Sequence, residues 1–149
     1  MLAFEDFFGS GTSTEPELKE LQESGWRPGS NYSHVPLRAP MNWTLQHRQH
    51  TFHLNTWGPF SRLLLGYHRF HRQSYFETAY AGIMDWLLRF QVPALSLTTL
   101  DELDRSIGLP ENFTWYDMAV GLRCNLLAYA LGVLARNESY ADEVVRLML

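Results

Sequence analysis

Trp115, Tyr116, Asp117 and Arg123 stand at the head of the otherwise apolar stretch "FTWYDMAVGLRCNLLAYALGVLARN", residues 113 to 137. An indole, a phenol, a carboxylate and a guanidinium hold polar ligands by stacking, hydrogen bonding and charge. They are equally the groups that rim a packed helix. Asp117 and Arg123 lie six residues apart, on roughly opposite sides of a helix, so they do not pair directly. Asp117 suits the positive N-terminal end of its helix. Arg123 lies too deep for that dipole to account for it. It either holds a buried carboxylate or clamps the carboxylate of a ligand.

A second concentration of polar chemistry is "PMNWTLQHRQHTFHLNTW", residues 40 to 57. Trp43 and Trp57 offer flat apolar faces, while Asn42, Gln46 and Asn55 offer amide forks that serve hydroxyl groups, a combination suited to sugars. The plainer reading makes both tryptophans core anchors and gives the amides to loop backbone. His47, His50 and His53 fall three apart, as do His68 and His71. Each step of three drifts by about 60° around a helix. On a strand His50 points away from the other two. No His-Glu-x-x-His run and no cysteine pair accompanies them, so no metal or other cofactor is expected. No nucleophile elbow, phosphate-binding loop or dinucleotide fingerprint occurs, and no residue is assigned a catalytic role.

The 149 residues suffice for one domain with a real core. Hydrophobic residues make up 46% and aromatic residues 14%, so rings either fill the core or line a surface. Twelve basic and 16 acidic residues give a formal charge of -4, and no long basic run occurs. Nucleic acid is therefore not an expected partner. No apolar run approaches the ~20 residues of a membrane span. The single cysteine, Cys124, permits no internal disulfide and reads as a small buried group. Asn-x-Ser/Thr triplets stand at Asn31, Asn42, Asn112 and Asn137, and matter only in a secreted eukaryotic chain.

Helical periodicity organises most of the chain. Residues 14–24 read as a short helix, with Thr14 and Glu17 as a capping box and Gly25 as its stop. The proline-rich stretch after Gly25 reads as an extended arm, with "HTFHLNT" a weak strand pattern. A helix opens near Pro59, with Phe60, Leu63, Leu64, Tyr67 and His71 on one stripe. Residues 75–90 form the next, capped by Ser74 and Glu77. Its apolar face holds Phe76, Ala79, Tyr80, Ile83, Leu87 and Phe90. The short link makes these two an antiparallel αα-hairpin. In the connector, "TTLDELDRSIG" reads as a short helix. Thr114 then caps a long helix over 115–136, with Ala119, Leu122, Leu126, Leu127, Ala130, Val133 and Leu134 as its buried stripe. A last helix from Ser139 to Leu149 completes a second hairpin, and its missing C-cap reads as the truncated edge of a larger helical array. The expectation is a single all-α domain over 1–149, with an arm over 1–57, a first hairpin over 58–91, a connector over 92–114 and a second hairpin over 115–149. Such hairpins are the units of α-solenoids and α/α toroids.

"PMNWT", "FHLNTWGPFSRLLLGYHRFHRQSYFETAYAGIMDWL" and "WYDMAVGLRCNLLAYAL" together resemble the N-terminal part of the heparinase II/III-like polysaccharide lyases, a resemblance covering roughly residues 40 to 136. The matching positions are Met41 to Trp43, Leu54–Asn55, Asp85–Trp86, Trp115, and Gly121 to Arg123. The resemblance implies a partial α/α toroid, an incomplete ring of antiparallel hairpins, from a bacterial lyase. It implies that an acidic, uronic-acid-containing polysaccharide is the ligand. The remainder of the toroid and a β-sandwich domain would follow. In that family the catalytic groups lie in those later parts, so this segment alone is expected to be inactive. Trp115, Tyr116 and Arg123, with Asn55 and Trp43 further out, are the residues it points to for substrate binding. The competing expectation is a non-catalytic helical module that buries an apolar face against a protein partner. Members of the family are often periplasmic or secreted. The start of this chain is apolar but acidic and does not read as a secretory signal, so the compartment stays open.

Overall fold

The computed structural model describes residues 13–90 and 117–136, with the side chains of Asp117 and Met118 left aside. Among them are five helices: α1 (Glu15–Ser24), α2 (Arg48–Asn55), α3 (Gly58–Phe70), α4 (Gln73–Arg89) and α5 (Asp117–Ala135). No strand occurs among the described residues, and the all-α class stands. The short connector helix, Trp115, Tyr116, the Thr114 cap and the last helix all lie outside the described residues.

The start of α1 follows from its local code. The Thr14 N–H donates to Glu17 Oε2 at 2.7 Å and its hydroxyl to the same oxygen at 2.9 Å, closing the capping box. Pro16 fills the first turn, where a missing N–H is harmless. Gly25, at φ 96°, ends the helix and donates to Leu21 O. There a Cβ would collide with the Val35 carbonyl, because Trp26 and Val35 exchange backbone hydrogen bonds at 2.9 and 2.7 Å.

Two residues, His71 and Arg72, separate α3 from α4, and the two helices pack along each other. Phe60, Leu63 and Leu64 face Phe76, Ala79 and Ile83 in one sealed core, and Leu18 and Leu21 of α1 close one side of it. Full burial of each leucine, isoleucine or phenylalanine here contributes about 1.5–3 kcal/mol. Gly82 lets the backbone of α4 approach the Phe60 ring where any Cβ would clash. Hydrogen bonds from Gln22 Nε2 to Thr78 Oγ1 at 3.0 Å and from the Tyr75 hydroxyl to Glu15 O at 3.3 Å tie α1 to α4.

Several local expectations need correction. "HTFHLNT" is helical, not extended, because Thr51, Leu54 and Asn55 share one buried face at helical spacing. The helix α4 begins two residues earlier than the Ser74–Glu77 pattern implies, with Arg72 at its N-cap and no side-chain cap. Ser74 instead sits inside the first turn, and its carbonyl accepts from Gln22. His71 leaves the α3 stripe, since it takes the left-handed conformation, φ 53°, that ends the helix. On α5 the buried line is Ala119, Arg123, Leu126, Ala130 and Leu134, with Leu122, Leu127 and Val133 only half-buried. That rotation brings Arg123 inward and leaves Cys124 exposed, where the sequence reading had Cys124 buried.

Candidate functional site

Side chains from the arm, α2, α4 and α5 meet at one polar cluster inside the core. Trp43 is 1% exposed, and its indole N–H donates to Asp85 Oδ2 at 2.8 Å. The same oxygen accepts the Met41 N–H at 3.2 Å, and Arg89 donates to Met41 O at 3.3 Å. The segment Met41–Trp43 is thereby strapped to α4. Proline and a lack of helical periodicity leave this stretch free to run extended, so its order comes from those side chains.

Asn55, 4% exposed, ends α2 and links three elements. Its Nδ2 donates to Trp43 O and Thr51 O, both at 3.0 Å, and its Oδ1 accepts the Trp86 indole N–H at 3.0 Å. Buried amides are stable only when so satisfied. Thr51, one turn earlier, exchanges hydrogen bonds with the backbone of Leu45 at 2.9 and 3.1 Å, closing the loop before α2.

Arg123 reaches this cluster from α5. It is 5% exposed and donates through one terminal nitrogen to Asn55 O at 2.6 Å. Its guanidinium carbon lies 4.2 Å from the centre of the Trp86 ring and 5.9 Å from that of Trp57, and Trp57 meets Trp86 edge-on at 5.5 Å. Burial pushes the Arg123 pKa down to about 10, so the side chain stays charged at neutral pH. A desolvated guanidinium over an indole gains about 2 kcal/mol from the ring's negative face. Trp57 itself holds φ 61°, a conformation that costs a residue with a Cβ about 1–2 kcal/mol. Its indole is 1% exposed, packs against Trp86 and Arg123, and its buried N–H has no hydrogen-bond partner.

The structure therefore brings together three of the five residues expected at a substrate surface. Trp43, Asn55 and Arg123 are each buried, and Asn55 joins the other two: its Nδ2 donates to Trp43 O and its backbone carbonyl accepts from Arg123. Trp115 and Tyr116 lie outside the described residues. Asp85 and Trp86, adjacent on α4, anchor the cluster from one side: Asp85 accepts from the Trp43 indole and Trp86 donates to Asn55. What sequence reasoning missed was the convergence. The available signal was a polar residue interrupting an apolar face, at Asn55 in α2 and at Arg123 in α5.

At the surface a second group of rings gathers. The Tyr32 ring, 44% exposed, meets His50 edge-on at 4.4 Å, and His50 meets Trp26 at 6.3 Å. The rings of His47 and His50 are 4.6 Å apart and tilted by 33°. Partial desolvation, then the neighbouring His47 and His53, hold His50 below the usual imidazole pKa. Among the described residues no three of His, Cys, Asp and Glu form a group able to hold a metal ion. No helix of the described residues is long and apolar enough to cross a membrane.

No protein-family model, no curated protein and no solved structure matches this chain.

Proposed function

We propose that this chain is the N-terminal, substrate-holding part of a lyase acting on uronic-acid-containing polysaccharide, with its antiparallel helix pairs forming part of an α/α toroid. One observation carries the reading. The segments behind the resemblance, Met41–Trp43, Leu54–Asn55, Asp85–Trp86 and Arg123, are scattered in sequence yet close into a single hydrogen-bonded cluster. Short motifs kept together by such contacts act as a fold signature. In this reading they build the scaffold and do not touch sugar, leaving Trp115 and Tyr116, just ahead of α5 in the sequence, as the residues to meet it.

The reaction of an intact enzyme of this type removes the proton at C5 of a uronic acid, beside the carboxylate. That proton becomes acidic once the carboxylate charge is neutralised. A base takes it, and an acid protonates the departing oxygen. No group in this chain is assigned to either proton transfer. Its part is to bind and align the polymer.

Calorimetric titration with uronate oligosaccharides, with neutral oligosaccharides as controls, tests the proposal. Saturable binding selective for the acidic polymer, without formation of an unsaturated uronate, is the expected result. An intact helical fold that binds neither class overturns it. The second reading, a protein-interaction module, draws on α5. This helix carries no charged residue between Arg123 and Arg136, and Leu127, Leu131 and Val133 are only half-buried. A helix apolar on all sides is normally enclosed by protein. Concentration-dependent association of the purified chain, with no affinity for uronates, favours that reading.

A further inference from the structure

Resting on the polysaccharide reading, we infer that an acidic sugar chain docks on the turn Arg27–Ser33 and the rings packed against it, with Arg27 meeting a uronate carboxylate and Tyr32 the face of a sugar ring.

Charge is segregated along this chain. Between Glu23 and Glu77 the sequence holds no acid, six arginines and all six histidines, although the whole chain carries a formal charge of -4. A surface of one sign draws ligands of the other. The turn and the start of α2 both lie in that stretch, and the first turn of α2 holds no acid. Among the described residues the acid that pairs with the arm is Glu20 of α1, 3.8 Å from His34.

Arg27 is held in place without being neutralised. Its Nη2 donates to Ser30 O at 2.6 Å and its Nε to Tyr32 O at 3.2 Å, and among the described residues it makes no ion pair. Two carbonyls fix the guanidinium and leave its charge, and Nη1 remains to donate to a carboxylate. The turn is closed on itself, since the Tyr32 N–H donates to Gly29 O at 3.0 Å and Trp26 pairs with Val35 through the backbone.

Tyr32 is 44% exposed, and among the described residues only Leu88 joins it as an exposed large apolar side chain. His50 at 4.4 Å and His47 at 6.3 Å meet its ring edge-on, so the ring is braced without being covered. A rigid ring at a surface offers a flat apolar face at small entropic cost. Asn31 and Ser33, both exposed, flank it with an amide and a hydroxyl suited to sugar hydroxyls. A carboxylate carried beside a flat, partly apolar ring is the chemistry of a uronate, and this surface offers a group for each part.

The test is titration of the whole chain followed by heteronuclear NMR. The probes are oligogalacturonate, alginate oligosaccharides, a neutral galactose oligosaccharide and polyphosphate. The expected result is that at least one uronate shifts the amides of residues 27–33 and His47 saturably while the neutral sugar does not. Tyr32→Ala and Arg27→Gln should each weaken that binding roughly threefold or more. Tyr32→Ala removes an exposed ring and keeps the backbone that holds Arg27, so helicity and the Trp26 and Val35 amide shifts should stay in place. Uronate binding that shifts other residues and is unchanged in Tyr32→Ala overturns this surface and leaves the polysaccharide reading standing. No binding of either uronate overturns both. Polyphosphate that binds the turn as tightly, with no loss in Tyr32→Ala, overturns the assignment to sugar.

Discussion

Replacing Asn55 by alanine removes three buried hydrogen bonds at once: two donated to Trp43 O and Thr51 O, and one accepted from the Trp86 indole. Each contributes about 1 kcal/mol net, and stripping the buried Trp86 N–H of this acceptor adds about 1–3 kcal/mol. Alanine's better helix propensity returns at most ~0.7 kcal/mol at the end of α2. The expected loss is about 3–5 kcal/mol, a large share of the ~5–15 kcal/mol that holds a domain together. Urea unfolding followed by circular dichroism measures it as a lower midpoint at an unchanged slope. Asn55→Asp sharpens the test. It still accepts from Trp86 but turns an acceptor toward two carbonyls, so it should be at least as damaging at neutral pH and recover in mild acid. The double variant Asn55→Ala/Trp86→Phe should be more stable than the sum of its parts by about 1 kcal/mol or more, because the two side chains share a bond. A loss below about 1 kcal/mol for Asn55→Ala, or strict additivity with Trp86→Phe, refutes the cluster as the link between α2, α4 and the arm.

Arg123→Lys should destabilise nearly as much as Arg123→Ala, since an ammonium lacks the planar face that covers Trp86, and Arg123→Met should be the mildest of the three because it keeps bulk and removes the buried charge; the order of urea midpoints checks this. Gly82→Ala should cost about 1–3 kcal/mol despite alanine's helix preference, because its Cβ enters the Phe60 ring, and the partner change Phe60→Leu should recover part of the loss in thermal unfolding. Hydrogen bonds from Thr14 hold the Glu17 carboxylate below its ordinary pKa, so its support of α1 is present above pH 4.5 and is lost as the pH falls through the lowered value; Glu17→Gln should flatten that part of the acid titration of helicity. Burial, with Tyr67 nearby, raises Tyr129 to about 12, so its share of stability is present below pH 10 and is lost as the pH rises through 12; Tyr129→Phe should reduce the late part of the tyrosinate titration followed by ultraviolet absorbance, to which Tyr75, also raised, still contributes.

Local chemistry made much of the framework readable from the sequence. The Thr14–Glu17 box, Pro59 near the start of α3 and the apolar periods of α3 to α5 all act within a turn or two, so the residues that decide them sit side by side in the chain. The same proximity explains the misreadings. Ser74 and Glu77 have the spacing of a cap, but α4 starts earlier at Arg72, and Gln22 of α1 donates to the Ser74 carbonyl. Which side of α5 faces inward was not a local matter either, because Leu122 and Arg123 are adjacent and either could lead the stripe. The tertiary structure chose Arg123, since a carbonyl 68 residues away and the Trp86 face receive its charge. Trp43 with Asp85, and Asn55 with Trp86, are likewise 42 and 31 residues apart. The sequence by itself determined α1, α3, α4 and α5 to within a few residues at their ends, but not α2. Only the packed molecule decided that Asn55 meets Trp43, Trp86 and Arg123, and that Trp43 meets Asp85. A polar group's burial depends on finding a partner, and here the partners lie on other elements.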